Sequence, residues 1–219
     1  MNGNELKKLE RKSQYDPLWR KWRQGYAPKF RLKFWQRLQL SLSRKILTAF
    51  ARRDPNDATL QSTLGVLDRL ESMDEAGKGN KNAANSLQQE AIIKCRKSVD
   101  LAPDDAHARL MYGFALEADG QSAAASEQFK EGLRLDPANT HGHTMLSASL
   151  QKQGKLTEAL EEARASLALA PSASHHLRLG YLLNISGDRA GARVEWEKVL
   201  EMDQGYLATS ARLYLRENP

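Results

Sequence analysis

An all-α chain of stacked antiparallel helix pairs is the fold class this sequence predicts, on three observations. Pro103, Pro137 and Pro171 are spaced 34 and 34 residues apart, and a fixed period of that size marks a repeat architecture rather than one globular core. Each proline stands in nearly the same phrase: LAPDDA from Leu101, LDPANT from Leu135 and LAPSAS from Leu169. Between the prolines, apolar residues recur at spacings of three and four, the signature of a helix with one buried stripe.

The chain opens with a basic, aromatic-rich arm over residues 1–34. Residues 1–53 hold 15 Lys and Arg against Glu5, Glu10 and Asp16, a net of +12, while the remainder carries −6 of the chain's total of +6. The same quarter of the chain holds Tyr15, Trp19, Trp22, Tyr26, Phe30, Phe34, Trp35 and Phe50, which is 8 of the 15 aromatics. Such asymmetry between the two ends of a chain points to a partner. Within the arm, Asp16 suits an N-cap, Pro17 the first helical position and Gly25 the residue past the end, so a short helix carrying Leu18, Trp19 and Trp22 is expected.

A leading helix follows over residues 35–57, with Leu38, Leu42, Ile46, Ala49 and Phe50 on one stripe. Repeats then occupy 58–204, divided as 58–105, 106–139, 140–172 and 173–204. Pro103 is followed by Tyr112-Gly113, Leu116, Gly120, Ala125, Phe129, Leu133 and Leu135. Pro137 is followed at matching places by Leu146-Ser147, Leu150, Gly154, Ala159, Ala163, Leu167 and Leu169. The last unit is one residue short near its start, then reads Leu179-Gly180, Leu183, Gly187, Ala192, Trp196, Leu200 and Met202, with Gln204 in the proline's place. The mid-unit glycine ends the first helix (A), and the small alanine lets the second (B) approach it closely. Pro55 precedes Leu64-Gly65 at the same offset, and the 48 residues from Pro55 to Pro103 carry 14 beyond the period. These fall in ESMDEAGKGNKNAANSLQQ, where Gly77, Gly79 and several Asn mark a loop between lengthened helices. Asp68 departs from the pattern by standing at an apolar place. Residues 205–219 read as a capping helix over the last apolar face.

This grammar resembles the tetratricopeptide repeat, a 34-residue helix–turn–helix unit. The resemblance implies a right-handed solenoid whose A helices line a concave groove. It assigns to that groove His107, Leu110 and Phe114, then His141, Thr144 and Ala148, then Leu177, Tyr181 and Asn184, with Thr59, Ser62 and Val66 from the first unit. Family members that clamp a C-terminal carboxylate use Lys, Asn and Arg at these places, a set this sequence lacks. An apolar, lightly polar groove suits a peptide or an amphipathic helix, or is filled by the chain's own elements.

No catalytic constellation is legible. There is no phosphate loop, GxSxG elbow or HExxH, so no enzyme and no cofactor is expected. His107, His141 and His175 repeat at 34 residues, but equivalent residues on stacked helices stand about 8–10 Å apart, too far for one zinc ion. The lone Cys95 reads as a small buried residue. No stretch approaches the ~18 apolar residues of a membrane span, and MNGNELKKLERKS lacks a signal peptide's apolar core, which predicts a cytoplasmic protein or one peripheral to a membrane or large complex.

The function expected is a non-catalytic scaffold or adaptor subunit, with one protein in the groove and another on the arm. Trp19, Arg20, Lys21, Trp22, Arg23 and Trp35 are the arm's docking candidates, being of the residue types enriched in binding hot spots. The same residues serve anionic membrane or RNA in the alternative readings, and a fourth has the arm's helix folded back with its tryptophans buried.

Overall fold

The structure, a computed structural model, describes residues 34–217, and among these it contains helices and no strand. Helix α1 is Phe34–Arg53. The first repeat is α2 (Ala58–Lys78) with α3 (Lys81–Leu101), and the second is α4 (Ala106–Ala118) with α5 (Ser122–Leu135). Then come α6 (Thr140–Lys152) with α7 (Leu156–Leu169), α8 (Ala173–Ile185) with α9 (Arg189–Met202), and finally α10 (Tyr206–Glu217).

The repeated phrases set the helix boundaries. Just after each proline an Asp, Asn or Ser accepts a hydrogen bond from a first-turn amide, Asp57 from Leu60, Asp105 from His107, Asn139 from Gly142 and Ser172 from His175, which starts each A helix. Each A helix ends beside a left-handed glycine: Gly79, Gly120, Gly154 or Gly187, with φ from 77° to 96°. Only glycine adopts that backbone without strain. The B helix starts at once.

Within each unit the two helices meet through small residues. Ala91, Ala125, Ala159 and Ala192 are wholly buried, one per B helix. Opposite them, a Cβ on Gly113 would stand 2.6 Å from the Phe129 ring, while Ser147 takes the glycine's place in the third unit and donates to the carbonyl of Ala159 at 2.8 Å. A polar clasp recurs at a separation of 19 residues in three units: Arg109 to Gln128, His143 to Glu162 and His176 to Glu195.

Two expectations need correcting. The 14 extra residues of the first unit lengthen both helices as expected, α2 and α3 being 21 residues each, but the loop between them is only Gly79 and Asn80, and Gly77 lies inside α2. Gly77 costs helix stability but does not end α2, because A–B packing outweighs propensity. In α1, Leu42 is 57% exposed and Ala49 is exposed, whereas Leu40 is buried. Ile46 and Phe50 of the expected stripe are half-buried, as are Arg44 and Leu47, and Arg44 meets the carboxylate of Asp68 opposite; the Leu38 side chain lies outside the described residues. An apolar stripe cannot reveal a face whose centre is an ion pair.

That ion pair accounts for the departure at Asp68. Its side chain is buried and meets Arg44 of α1 at 2.5 Å and Lys94 of α3. Arg44 also pairs with Glu71, and Lys94 with Glu90 at 2.9 Å. A carboxylate at an apolar place is tolerable only with such compensation.

Candidate functional site

The site begins with which helices lie side by side. Adjacent A helices touch, α2 with α4, α4 with α6 and α8 with α10, while among the described residues no pair of B helices packs comparably. The A helices therefore form the closer-spaced row, with the least contact between α6 and α8.

The residues predicted to line the groove's wall divide on this row. His107 is exposed, and His141, Thr144, Ala148, Leu177, Tyr181 and Asn184 are half-buried at matching places on successive A helices. Leu110 and Phe114 are instead core residues, 2% and 4% exposed. Leu110 fills the space left by Gly132 and Gly142, so it locks α4 to α5 and α6. Phe114 packs edge-on against Phe129 at 5.5 Å and stacks on His141 at 4.7 Å. Sequence spacing places these residues on the correct helix face, but the absence of side chains at Gly132 and Gly142 draws Leu110 inward, and the aromatic neighbours do so for Phe114.

Aromatic and cationic groups run along the row. The Arg69 guanidinium lies 5.9 Å from the Phe114 ring centroid, and burial pushes its pKa down to about 10. Farther along, Tyr181 lies 6.1 Å from Tyr214, which stacks on Trp196 at 5.1 Å. Between these groups Glu117 joins neighbouring helices, pairing with Lys152 and accepting from the Ser149 and Ser122 hydroxyls. Arg178 is a second half-buried cation, its pKa also lowered to about 10 by burial. The sequence reading missed it, yet aligned units reveal it, since Arg178 stands where Met111 and Met145 stand in the preceding repeats.

Titratable groups away from the wall are structural. Burial pushes the Cys95 thiol up to about 12, which removes the thiolate that reactive cysteines need. Among the described residues no group of three His, Cys, Asp or Glu is placed to hold a metal, and His175 is occupied locally by the Ala170 carbonyl at 2.6 Å. No helix among them is long and apolar enough to cross a membrane. The arm candidates Trp19, Arg20, Lys21, Trp22 and Arg23 lie outside the described residues. The Trp35 side chain does so too, although its backbone belongs to α1.

Comparison with known proteins places the fold. Residues 106–139 match the tetratricopeptide repeat family. Among solved structures, MamA from Desulfovibrio magneticus RS-1 is similar over 76% of this chain and 86% of its own, at 20% identity and a TM-score of 0.61. TTC0263, a thermophilic TPR protein of Thermus thermophilus, is similar over 81% and 91%, at 15% identity and a TM-score of 0.61. YrrB, described as a TPR protein with an unusual peptide-binding site, covers 77% of this chain with 98% of its own, at 17% identity and a TM-score of 0.54. No curated protein matches the sequence. These identities carry the fold and nothing finer.

Proposed function

We propose that this chain, a tetratricopeptide repeat protein by its matched unit and its fold, is a non-catalytic scaffold that takes a polypeptide segment on its row of A helices. The observation that carries this reading is a set of half-exposed, uncharged side chains on α6 and α8: Thr144 and Ala148, matched in the next unit by Leu177 and Tyr181, with Asn184 beyond them. Such a surface supplies apolar contact from Leu177 and Tyr181, and polar groups that can meet a peptide backbone: the Asn184 amide, and a lone pair of the Thr144 hydroxyl, which gives its proton to the Thr140 carbonyl. YrrB, alike in fold, is itself described by a peptide-binding site.

A second partner is assigned to the arm, through Trp19, Trp22 and the cations beside them. RNA and anionic membrane are the alternatives there, resting on the arm's charge alone. The scaffold reading is tested with peptides selected from a random displayed library on the intact chain. Substituting Tyr181→Ala and Asn184→Ala together should weaken the selected peptides at least about 10-fold by removing an aromatic anchor and a backbone contact. Undiminished binding removes the A row from the function.

A further inference from the structure

We propose that His143 is an acid-strengthened latch in the third repeat: its contacts with α7 and with the turn before α6 are complete only while the imidazole carries a proton on both ring nitrogens, so the hold on α6 loosens as pH rises and the ring loses one of them. The inference does not depend on what the A row binds.

The repeat defines the place. Six residues after the proline of each of the first three units, an A-helix side chain reaches back to that proline's carbonyl. Gln61 donates to Pro55 and the Nε of Arg109 to Pro103, each at 3.0 Å, and the Nε2 of His143 stands 3.0 Å from the Pro137 oxygen. Two of these side chains also cross to the B helix, Arg109 to the amide oxygen of Gln128 at 3.2 Å and the Nδ1 of His143 to the Glu162 carboxylate at 2.6 Å. In both units one side chain serves two oxygens, a proline carbonyl and a B-helix group 19 residues on.

Two acceptors require two N–H groups. Arginine always has them, whereas a neutral imidazole has one. With Nδ1 bare, its lone pair faces the Glu162 carboxylate; with Nε2 bare, it faces the Pro137 carbonyl. Only the imidazolium answers both oxygens. His176, at the matching place in the last unit, supplies the contrast. Its Nδ1 meets Glu195 at 2.5 Å, but no oxygen faces its Nε2 among the described residues, and Lys198 already pairs with Glu195 at 2.9 Å. A neutral ring suffices for that clasp.

Glu162 of α7 is the charged group that meets the ring. The other charges on the elements packed around α6 are engaged elsewhere or stand in water. Arg134 of α5 pairs with Glu131, Arg178 of α8 reaches Ser147, and Glu158, Glu161 and Arg164 of α7 are exposed. On α6 itself Lys152 pairs with Glu117 of α4, and Asp136 in the turn before it accepts from the Asn139 amide. The His143 side chain is only 16% exposed, so water is a poor substitute for a partner it loses.

The stability that the second ring proton supplies is present below the ordinary imidazole range and lost at higher pH, as the ring gives that proton up. Melting temperatures of the intact chain between pH 5.5 and 8 test this on the wild type, His143→Arg, His143→Gln and His176→Gln. Differences between proteins at one pH cancel the titrating groups they share. His143→Arg installs the permanently charged donor of the second unit, so its melting temperature should gain on the wild type by about 2–4 °C from pH 5.5 to 8, the shift that losing one hydrogen bond makes in a chain of this size. The advantage of the wild type over His143→Gln, a neutral donor as in the first unit, should be greatest at pH 5.5 and shrink as pH rises. His176→Gln should keep the wild-type pH profile in shape. Differences that stay constant with pH for both His143 variants overturn the latch, and where the arginine variant does not fold the glutamine comparison decides alone. A profile altered as much by His176→Gln as by His143→Gln overturns the double-acceptor argument.

Discussion

Arg44 of α1 places a guanidinium nitrogen 2.5 Å from the carboxylate of Asp68, a side chain only 1% exposed. This pair, not apolar contact alone, joins the leading helix to the first repeat. Removing Arg44 as Arg44→Met leaves Asp68 buried with Lys94 as its remaining partner, and should cost about 2 kcal/mol in denaturant unfolding, below the full cost of orphaning a buried charge because Lys94 stays. Asp68→Leu restores an apolar residue, and the double variant Arg44→Met/Asp68→Leu should recover most of the loss. Additive losses in that cycle would show that the two side chains do not depend on each other.

The same carboxylate makes a pH prediction. Burial raises the Asp68 pKa despite the opposing charges of Lys94 and Arg44, and burial likewise raises that of Glu71. A carboxyl whose folded pKa exceeds its unfolded value stabilises the fold while protonated. Its contribution is complete below the ordinary carboxyl range and is lost as pH rises through the folded value. Glu195 acts with the opposite sign: burial works against its charged form, but hydrogen bonds from His176 and Lys198 outweigh burial and hold its pKa low. Its contribution is present above the ordinary range and lost as pH falls through the folded value. Asp68→Asn should therefore remove part of the stability loss that accompanies rising pH in mildly acid solution. Parallel pH profiles of urea midpoints for wild type and Asp68→Asn would contradict this.

The helix pairs were legible because proline, glycine and small residues recur at fixed offsets, and each has a local physical role: cap spacing, left-handed turn, close A–B approach. What stayed hidden depends on partners distant in sequence. Leu42 looks like core until Arg44 is known to face Asp68, and Leu110 looks like groove until Gly132 and Gly142 are known to leave room for it. Arg178 was readable in principle, since only comparison with Met111 and Met145 was needed. Apolar periodicity passes over charged residues, and here three of the informative positions, Arg44, Asp68 and Arg178, are charged.

Phe129 and Phe114 test the distinction between core and wall. Phe129 is wholly buried between α4 and α5, so Phe129→Ala should cost about 3 kcal/mol or more through the cavity it opens. Phe114→Glu places a charge against Phe129 and His141, and should unfold the second repeat rather than spare the fold while blocking a ligand. Tyr181→Ala, at a half-exposed place, should leave most of the helical circular dichroism and melting temperature unchanged. A Phe114→Glu protein with wild-type stability would return Phe114 to the wall.

The last prediction concerns the arm, whose proposed role rests on sequence. Deleting residues 1–28 removes Lys7, Lys8, Arg11, Lys12, Arg20, Lys21 and Arg23 together with Trp19 and Trp22. Repeat proteins draw their stability from contacts between neighbouring units, so the truncated chain should keep its helical content and melting temperature while losing the arm's partner. Trp19→Ala with Trp22→Ala then separates the chemistries. A docked protein should be lost with little salt dependence, since buried aromatic anchors carry the energy. RNA held through phosphates should weaken less and show a steep salt slope, because counterion release dominates that binding. Attachment to anionic membrane should appear as flotation with phosphatidylserine vesicles that the truncation abolishes. A truncated chain that melts lower and keeps every partner would make the arm a part of the fold and end its assignment as a docking element.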